Sequence, residues 1–337
     1  MVSGRFVLKR LLLLVPVLLG VATFVFAMLH LSPGDPARLI AGRRAPEAFV
    51  EEVRRELGLD RPMYVQYVDF LTDVVQLEFG QSYQVRQGEP VKNILTSRFP
   101  VTLELAILGQ IAGILFGIPL GVLSAIKQDS ATDHLTRIGA LTGISVPIFW
   151  SGPLLIMLFG VYLGWLPTFG RIATKFQYPA VTNMVLLDTA LALRPDAFVS
   201  AARHMLLPVL TIGIYSMALI SRMMRSSMLE VIRQDYMRTA RAKGQGSKIT
   251  VMKHGFKNAL IPVVTVIGIQ FGTLLGGAIL TETVFTINGI GTLVVEAINN
   301  SDYPVVQGTV LLFAFLFTLV NLGVDITYSY LDPRIEQ

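Results

Sequence analysis

The stretch DYMRTARAKGQGSKITVMKHGFKNALIP, from Asp235 to Pro262, is basic and polar and lies between two long apolar segments. Its apolar residues recur at spacings of three and four, which predicts two short amphipathic helices. Gly244 and Gly246 separate them, because glycine adopts the positive φ angles of a turn at little cost. Ser247 is predicted to cap the second helix. The stretch therefore predicts a helical hairpin joined at both ends to the apolar segments.

Each predicted helix has one apolar face. The first face consists of Leu229, Ile232, Tyr236 and Ala240, and the second of Ile249, Met252, Phe256 and Leu260. Such a ridge could seat in a groove of a cytoplasmic protein, or the hairpin could rest its basic side on anionic headgroups. The residues of the hairpin leave both interpretations open.

The composition is that of a membrane protein. Of the 337 residues, 53% are hydrophobic and only 15% are charged, and the mean hydropathy is +0.59. Soluble proteins carry about 25% charged residues. The formal net charge is +5, but the basic clusters lie beside apolar spans, so membrane topology explains them better than nucleic acid binding does. The absence of cysteine excludes disulfides, thiolate metal sites and cysteine nucleophiles.

Six segments are long and apolar enough to cross a bilayer, which takes about 20 residues. They are predicted at about 8–30, 102–124, 137–164, 205–224, 260–283 and 307–328. The first has a basic start like a signal peptide, but its apolar core from Leu11 to Leu29 is longer than a signal core and no cleavage pattern follows. The predicted class is an all-α, polytopic membrane protein with six transmembrane helices.

The distribution of lysine and arginine predicts the orientation. The loop from Arg222 to Lys257 holds nine basic residues against Glu230 and Asp235, whereas the loop from Glu282 to Gln307 holds none. Both termini are therefore expected in the cytoplasm. The expected parts of the chain are an N-terminal segment with the first span (1–30), an extracytoplasmic loop with short helices (31–101), a transmembrane core (102–328) that contains the cytoplasmic loop 222–259, and a cytoplasmic tail (329–337).

The extracytoplasmic loop is predicted to fold. After a break at Pro33 to Pro36, the periodicity predicts one amphipathic helix from Pro46 to Leu57 and another from Pro62 to Leu77. The loop is either a lid that stabilises the outer face or a docking surface for an external delivery protein.

Glycine recurs at every fourth position in two spans, a spacing that lets helix backbones approach closely. The positions are Gly109, Gly113, Gly117 and Gly121 in the second span and Gly268, Gly272 and Gly276 in the fifth. These helices are predicted to pack tightly against each other or against a second subunit. Gln110 and Gln270 lie beside the glycine faces, and with Glu282 they are candidates for lining a translocation path. Glu104, Glu282 and Asp325 can also be interfacial anchors or helix-to-helix hydrogen bonds.

Motifs of covalent chemistry are absent from the sequence. It contains no GxxxxGK[ST] phosphate loop and no HExxH, and its four histidines (His30, His134, His204, His254) are scattered over different loops and span ends. No catalytic or metal site is expected. A proton- or ion-driven carrier would show central ionisable groups or broken helices, and the sequence shows neither clearly.

Several motifs resemble those of one family, in the same order along nearly the whole chain. They are PGDPA (33–37), LGLDRP (57–62), RFPVTLELA (98–106), SVPIFW (145–150), RMMRSSMLEV (222–231), RTARAKG (238–244), HGFKNALIPVVT (254–265), ILTETVF (279–285) and DYPVVQG (302–308). The family is that of the permeases of binding-protein-dependent ABC importers, in the dipeptide and oligopeptide branch.

The resemblance implies a type I ABC importer permease fold and a non-catalytic subunit that forms half of a path for dipeptides or short peptides. It implies a homologous second permease, two ATPase subunits that hold ATP and Mg²⁺, and a periplasmic or lipid-anchored substrate-binding protein, in a bacterial or archaeal cytoplasmic (inner) membrane. This chain itself would hold no cofactor and bind no nucleic acid. The residues that it implies for ATPase coupling are Tyr236, Arg238, Thr239, Ala240, Arg241, Ala242, Lys243, Gly244, His254, Asn258 and Pro262.

Other functions stay open beside this one. The alternatives are an ion- or proton-driven secondary carrier, a permease of the same branch for nickel chelates, haem or another small solute, and a membrane scaffold or enzyme that transports nothing.

Overall fold

The structure is a computed structural model, and it describes residues 4–31, 35–41, 45–56 and 58–331. Within these residues the regular structure is helical, apart from one isolated bridge between Gln81 and Pro90. The predicted all-α class is confirmed. The expectations for Pro33, Gly34, Leu57 and the tail after Leu331 lie outside the described residues.

The helices follow one another with short connections. In chain order they are α1 (Gly4–Leu31), α2 (Pro36–Ala41), α3 (Glu47–Glu56), α4 (Met63–Gln76), α5 (Val91–Ile126), α6 (Ala131–Ser145), α7 (Ile148–Leu155), α8 (Val185–Leu191), α9 (Pro195–Ile232), α10 (Asp235–Ala242), α11 (Ser247–Ile249), α12 (Phe256–Gly277), α13 (Ile279–Val284), α14 (Ile290–Asn299) and α15 (Tyr303–Leu331). π-Helical turns continue α7 (Ile156–Tyr162) and join α11 to α12 (Thr250–Gly255).

Five helical segments are long and apolar enough to cross a membrane. They are Leu8–Met28, Val91–Ile126, Pro195–Ile232, Thr250–Gly276 and Tyr303–Thr327. A sixth candidate is the pair Ala131–Ser145 and Trp150–Tyr162, which is bent by 115°. The described residues therefore hold five spans, or six if the bent pair counts as one.

The bent pair overlaps the third span predicted at 137–164 and has a break within it. Pro147 precedes α7, and Val146 before it has an extended backbone (φ −78°, ψ 120°). A proline disfavours helical backbone in the residue that precedes it, because its ring clashes with that residue. The helix therefore ends at Ser145 and restarts in a new direction.

The centre of the fold is α9. It packs along α5 and also contacts α6, α8 and α12, while α15 packs on α12 and α1 packs on α15. The main buried cluster joins α5, α9 and α12 through Leu105, Met205, Leu207, Ile212 and Leu275. A second cluster, which includes Val91 and Ile94, joins the start of α5 to α14 and α15.

This second cluster explains why α5 begins eleven residues before the predicted span at 102. The first turns of α5 are amphipathic, and their apolar side chains are buried by α14 and α15 rather than by lipid. A hydropathy window that looks for a membrane span misses such a protein-covered extension.

The described residues between α1 and α5 form the helices α2, α3 and α4. α3 and α4 lie within one residue of the helices predicted from Pro46 and Pro62. Ala37, Val50 and Val53 form a small buried cluster between α2 and α3. α2 itself was not predicted, because six residues are too few for a periodic signal.

Candidate functional site

The hairpin between α9 and α12 begins with a break in the chain direction. α9 ends at Ile232, and α10 begins at Asp235 after Gln234, whose backbone is extended (φ −71°, ψ 150°). α10 is therefore a separate helix of eight residues and not a continuation of α9.

One side chain anchors α10. Met237 is fully buried, and its terminal methyl packs against Gly255, where a Cβ would lie 3.3 Å from it. Met228 and Val231 of α9 border the same position. Most of the other residues of α10 are exposed, namely Tyr236, Arg238, Thr239, Arg241 and Ala242, and Ala240 is half-buried. The helix is attached by one face and offers the rest of its surface to the solvent.

A glycine turn follows α10. Gly244 has a φ of +79°, and its amide donates to the Arg241 carbonyl at 2.9 Å. Space around a Cβ at this position is open. Arg238, Arg241 and Lys243 are all exposed here. The turn region is therefore a positively charged, accessible end of the hairpin.

Hydrogen bonds hold the two arms of the hairpin together. The Asn258 amide donates to the Tyr236 hydroxyl at 3.0 Å and to the His254 carbonyl at 3.1 Å. The His254 ring lies 3.0 Å from the Gln245 amide oxygen. Pro262 lies inside α12, six residues past the start of that helix at Phe256. The predicted coupling residues thus lie together on one hairpin, except Pro262, which lies above it.

The predicted apolar faces of the hairpin are only partly covered by the chain itself. Tyr236 is 42% exposed, whereas Met237 is the buried residue of α10, because the break at Gln234 resets the helical register counted from α9. Ile249 and Met252 are exposed, since the π-helical turn changes the spacing before α12. Gly246, and not Ser247, precedes the second helix, and no side chain caps it.

An ion pair that the sequence did not predict lies at the same end of the bundle. Asp133 of α6 is fully buried and accepts hydrogen bonds from Arg225 Nε at 2.6 Å and Arg225 Nη2 at 2.7 Å. Ser124 of α5 donates to the same carboxylate at 2.6 Å. A bidentate arginine–carboxylate pair fixes geometry as well as charge. This cluster ties α5, α6 and α9 together just before the hairpin.

The local part of that cluster had a sequence signal. Ser130 caps α6, and its side chain accepts from the Asp133 amide at 3.3 Å, which is the spacing of a capping box with aspartate at its last position. Arg225 lies 92 residues further along the chain, and nothing in the local pattern points to it.

The glycine ladder of α5 packs on α9. A Cβ on Gly109 would lie 2.5 Å from Ile212 Cγ2, one on Gly117 would lie 2.9 Å from the Met217 carbonyl oxygen, and one on Gly121 would lie 2.6 Å from Met224 Cβ. Gly113 faces Ser216 in the same way. The close approach of two backbones is the use expected for this spacing.

The glycine ladder of α12 packs on α15, because a Cβ on Gly272 would lie 2.8 Å from Phe317 Cδ2 and one on Gly268 would meet the Val324 side chain. Space around Gly276 is open. Each ladder therefore packs closely on a different helix of the same chain. α5 and α12 also contact each other, and packing of a ladder on a second subunit stays a prediction.

The three candidates for the path lie at helix junctions. Ser216 Oγ donates to Gln270 Oε1 at 3.0 Å and lies 3.4 Å from Gln110 Oε1, and both glutamines are buried. Glu282 is fully buried and accepts from Thr102 Oγ1 at 2.5 Å and from the Thr292 amide at 2.9 Å. These contacts are helix-to-helix hydrogen bonds, and the role of the three residues in a path stays a prediction.

Two further buried carboxylates accept hydrogen bonds from loop residues and so hold these loops against the helices. The sequence did not predict which groups donate to them. Glu104 accepts from the amides of Val185 and Leu186 at 2.9 and 2.8 Å. Asp302 accepts from Ser82 Oγ at 2.6 Å and from the amides of Gln84 and Val85 at 3.0 Å. Both carboxylates belong to motifs quoted above, and both position backbone rather than perform chemistry. Within the described part of the chain no group of three His, Asp or Glu side chains could hold a metal ion.

The sequence is similar to one family over most of its length. Residues 117–337 match the family described as binding-protein-dependent transport system inner membrane component, and residues 3–106 match the N-terminal region described for the same transport systems.

Curated relatives align from end to end. The chain is 44% identical over 331 residues to the dipeptide transport system permease protein DppB of Alkalihalophilus pseudofirmus, with 98% of this chain and 99% of that protein covered. It is 45% identical over 332 residues to the di/tripeptide transport system permease protein DppB of Pseudomonas aeruginosa, with 98% of each covered.

A solved structure has a similar fold. It is a chain of the MetNI methionine ABC transporter in inward-facing conformations, with a TM-score of 0.52 and 21% identity, covering 71% of this chain and 96% of that chain. At this identity the likeness concerns the fold alone.

Proposed function

The chain belongs to the family of binding-protein-dependent transport system inner membrane components, and from this premise we propose that it is the permease subunit of an ABC importer for dipeptides and tripeptides. The named relatives support this substrate class, since one is a dipeptide and the other a di/tripeptide permease. The chain itself is a non-catalytic membrane subunit, because the family is one of permeases.

The hairpin of α10 is the proposed contact with the ATPases. A helix of eight residues, held by Met237 and otherwise exposed, fits a groove in a neighbouring protein. Arg238, Arg241 and Lys243 give it a positive surface that would favour an acidic groove. Because α10 follows α9 after two residues, a displacement of α10 is passed to the central helix of the fold.

The assembly would contain more than this chain. A homologous second permease would complete the path, because five or six spans enclose a translocation path poorly alone. Two ATPase subunits would bind ATP and Mg²⁺, and a periplasmic or lipid-anchored binding protein would deliver the peptide. The place of the assembly would be the cytoplasmic membrane of a bacterium or archaeon.

Two glycines of the hairpin allow a matched test. Gly244 has a φ of +79° and Gly246 a φ of −60°, and a Cβ at either position meets open space. Valine at position 244 would cost about 1–2 kcal/mol of backbone strain, which lowers the ratio of native to non-native turn by about five- to thirty-fold. Gly246→Val carries no such strain.

We expect Gly244→Val to lower ATP-dependent peptide uptake by the reconstituted complex by up to about thirty-fold, with membrane insertion retained and Gly246→Val close to the parent. ATP hydrolysis is measured in the same vesicles, and its ratio to uptake reports the coupling. Equal uptake by both variants would contradict the role of the hairpin.

Two other outcomes would identify the alternative functions. Peptide uptake by the purified chain without ATPases would identify a carrier, and absence of peptide flux in every assembly would identify a scaffold.

A further inference from the structure

An apolar strip on α4 has no partner within the described part of the chain. Tyr64, Val68 and Val75 are 73%, 58% and 83% exposed, and with the half-buried Leu71 they lie on one side of the helix. At 3.6 residues per turn these four positions fall within about 60° of one another around the helix axis. Val68, Leu71 and Val75 also line an open depression on the surface.

The neighbouring side of α4 packs on the end of α1. The Tyr67 hydroxyl lies 2.7 Å from Thr23 Oγ1, and the Gln66 amide oxygen lies 3.0 Å from the His30 ring. The rings of Tyr67 and Phe70 pack on Phe26, with centroids 5.2 and 5.6 Å apart. These contacts fix the position of α4 relative to the span.

The contact between Tyr67 and Thr23 indicates how deep α4 lies in the membrane. The apolar span of α1 runs from Leu8 to Met28, so Thr23 lies five residues before its C-terminal end. At 1.5 Å per residue this is about 7–8 Å inside the apolar zone. Helices that lie in the interface of a membrane bury their apolar face about 5–10 Å deep.

We propose that α4 is an interfacial helix that buries Tyr64, Val68, Leu71 and Val75 in the lipid leaflet at the C-terminal end of α1. In the orientation predicted from the basic loops, this is the outer leaflet. The occupant of the apolar strip is lipid acyl chain and not protein.

The apolar strip on α4 is continuous with the exposed apolar surface of α1, which supports lipid as the occupant of the strip. Phe24, Met28 and Leu31 of α1 are exposed at the same end of the span. The strip on α4 extends this lipid-facing surface beside Tyr67, and tyrosine is enriched where membrane meets water.

The charges of α4 agree with an interfacial position. Asp69 and Asp73 are exposed and lie more than about 120° around the helix from the centre of the apolar strip. A helix that lies flat in the interface needs this division, with carboxylates toward water and apolar side chains toward lipid.

This chain contains no cysteine, so a single introduced cysteine is its one labelling site. The parent complex treated with the same label supplies the background from the partner subunits. The variants Val68→Cys and Val75→Cys carry a nitroxide spin label on the apolar strip, and Asp69→Cys and Asp73→Cys carry it on the polar face. The intact transport complex is reconstituted in vesicles of phosphatidylethanolamine and phosphatidylglycerol. Accessibility is measured to oxygen, which concentrates in lipid, and to a water-soluble nickel chelate.

We expect the ratio of oxygen to nickel accessibility to be several-fold higher at positions 68 and 75 than at 69 and 73. Equal ratios would overturn the proposal. Nickel accessibility at 68 and 75 that disappears only when the substrate-binding protein is added would also overturn it, and would assign the strip to that protein. Quenching of Val75→Trp by brominated lipid supplies a second readout with the same expected result, should a labelled variant fail to assemble.

Discussion

At the scale of single residues, substitutions of Gly121 and Gly20 distinguish the effect of close helix packing on stability from the effect of helix propensity. Both lie inside long apolar helices, but a Cβ on Gly121 would lie 2.6 Å from Met224 Cβ and from the Ser221 carbonyl oxygen, whereas Gly20 has open space around it. We expect Gly121→Ala to destabilise the purified protein by about 1–3 kcal/mol, the usual cost of overpacking. Thermal unfolding in detergent measures this change.

Gly20→Ala is the matched control for that measurement. It adds the same methyl group to a helix without a neighbour, so its unfolding temperature should equal or exceed that of the parent, since alanine favours helix over glycine by about 0.5–1 kcal/mol. A loss of stability that is the same for both variants would show that the α5–α9 contact is not tight.

Single residues of the site also differ in how well the sequence predicted their contacts. Regular spacing identified the glycine ladder, but the helix that it meets depends on residues about 100 positions away. The pairing of Asp133 with Arg225 could not be predicted either. The local pattern marks Asp133 as part of a helix cap, but it does not point to an arginine 92 residues away. Spacing predicts a contact face, and only the three-dimensional fold supplies its partner.

At the scale of elements, α10 depends on Met237. A helix of eight residues has little stability alone, and Met237 is its one fully buried side chain. Met237→Ala would remove a contact of the kind worth about 2–5 kcal/mol in a core. We expect amide hydrogen exchange to accelerate in Asp235–Ala242 while exchange in α9 stays unchanged.

Met252→Ala is the control for α10, because Met252 lies in the same hairpin and is exposed. Its exchange pattern should match that of the parent. If Met237→Ala leaves the exchange of α10 unchanged, the helix is held by other contacts, and the proposed rigid link to α9 fails.

Elements were predicted best where one helical period runs without interruption. α3 and α4 follow the predicted helices within one residue. The errors fall at interruptions, namely the break at Gln234, the π-helical turn before α12 and the proline after Val146. Each of them changes the register or direction of the chain while the composition stays that of a helix.

At the scale of the whole molecule, the number of apolar segments was predicted, and the size of the bend within the third of them was not. The third apolar segment is bent by 115° between Ser145 and Trp150, so its length alone does not make it a simple span. Hydropathy measures how much of the chain avoids water, and it does not distinguish burial in lipid from burial in protein.

The orientation of the chain is the prediction on which the proposed assembly depends. The basic loops predict that the connection between α5 and α6 is cytoplasmic and that the connection between α4 and α5 is outside. Glu78 and Gln128 are exposed in these two connections. We expect Glu78→Cys to react with a membrane-impermeant maleimide in intact cells, and Gln128→Cys to react only after the cells are permeabilised. The reverse pattern would place the α10 hairpin outside, where no ATP is available, and the proposed coupling to ATPases would be impossible.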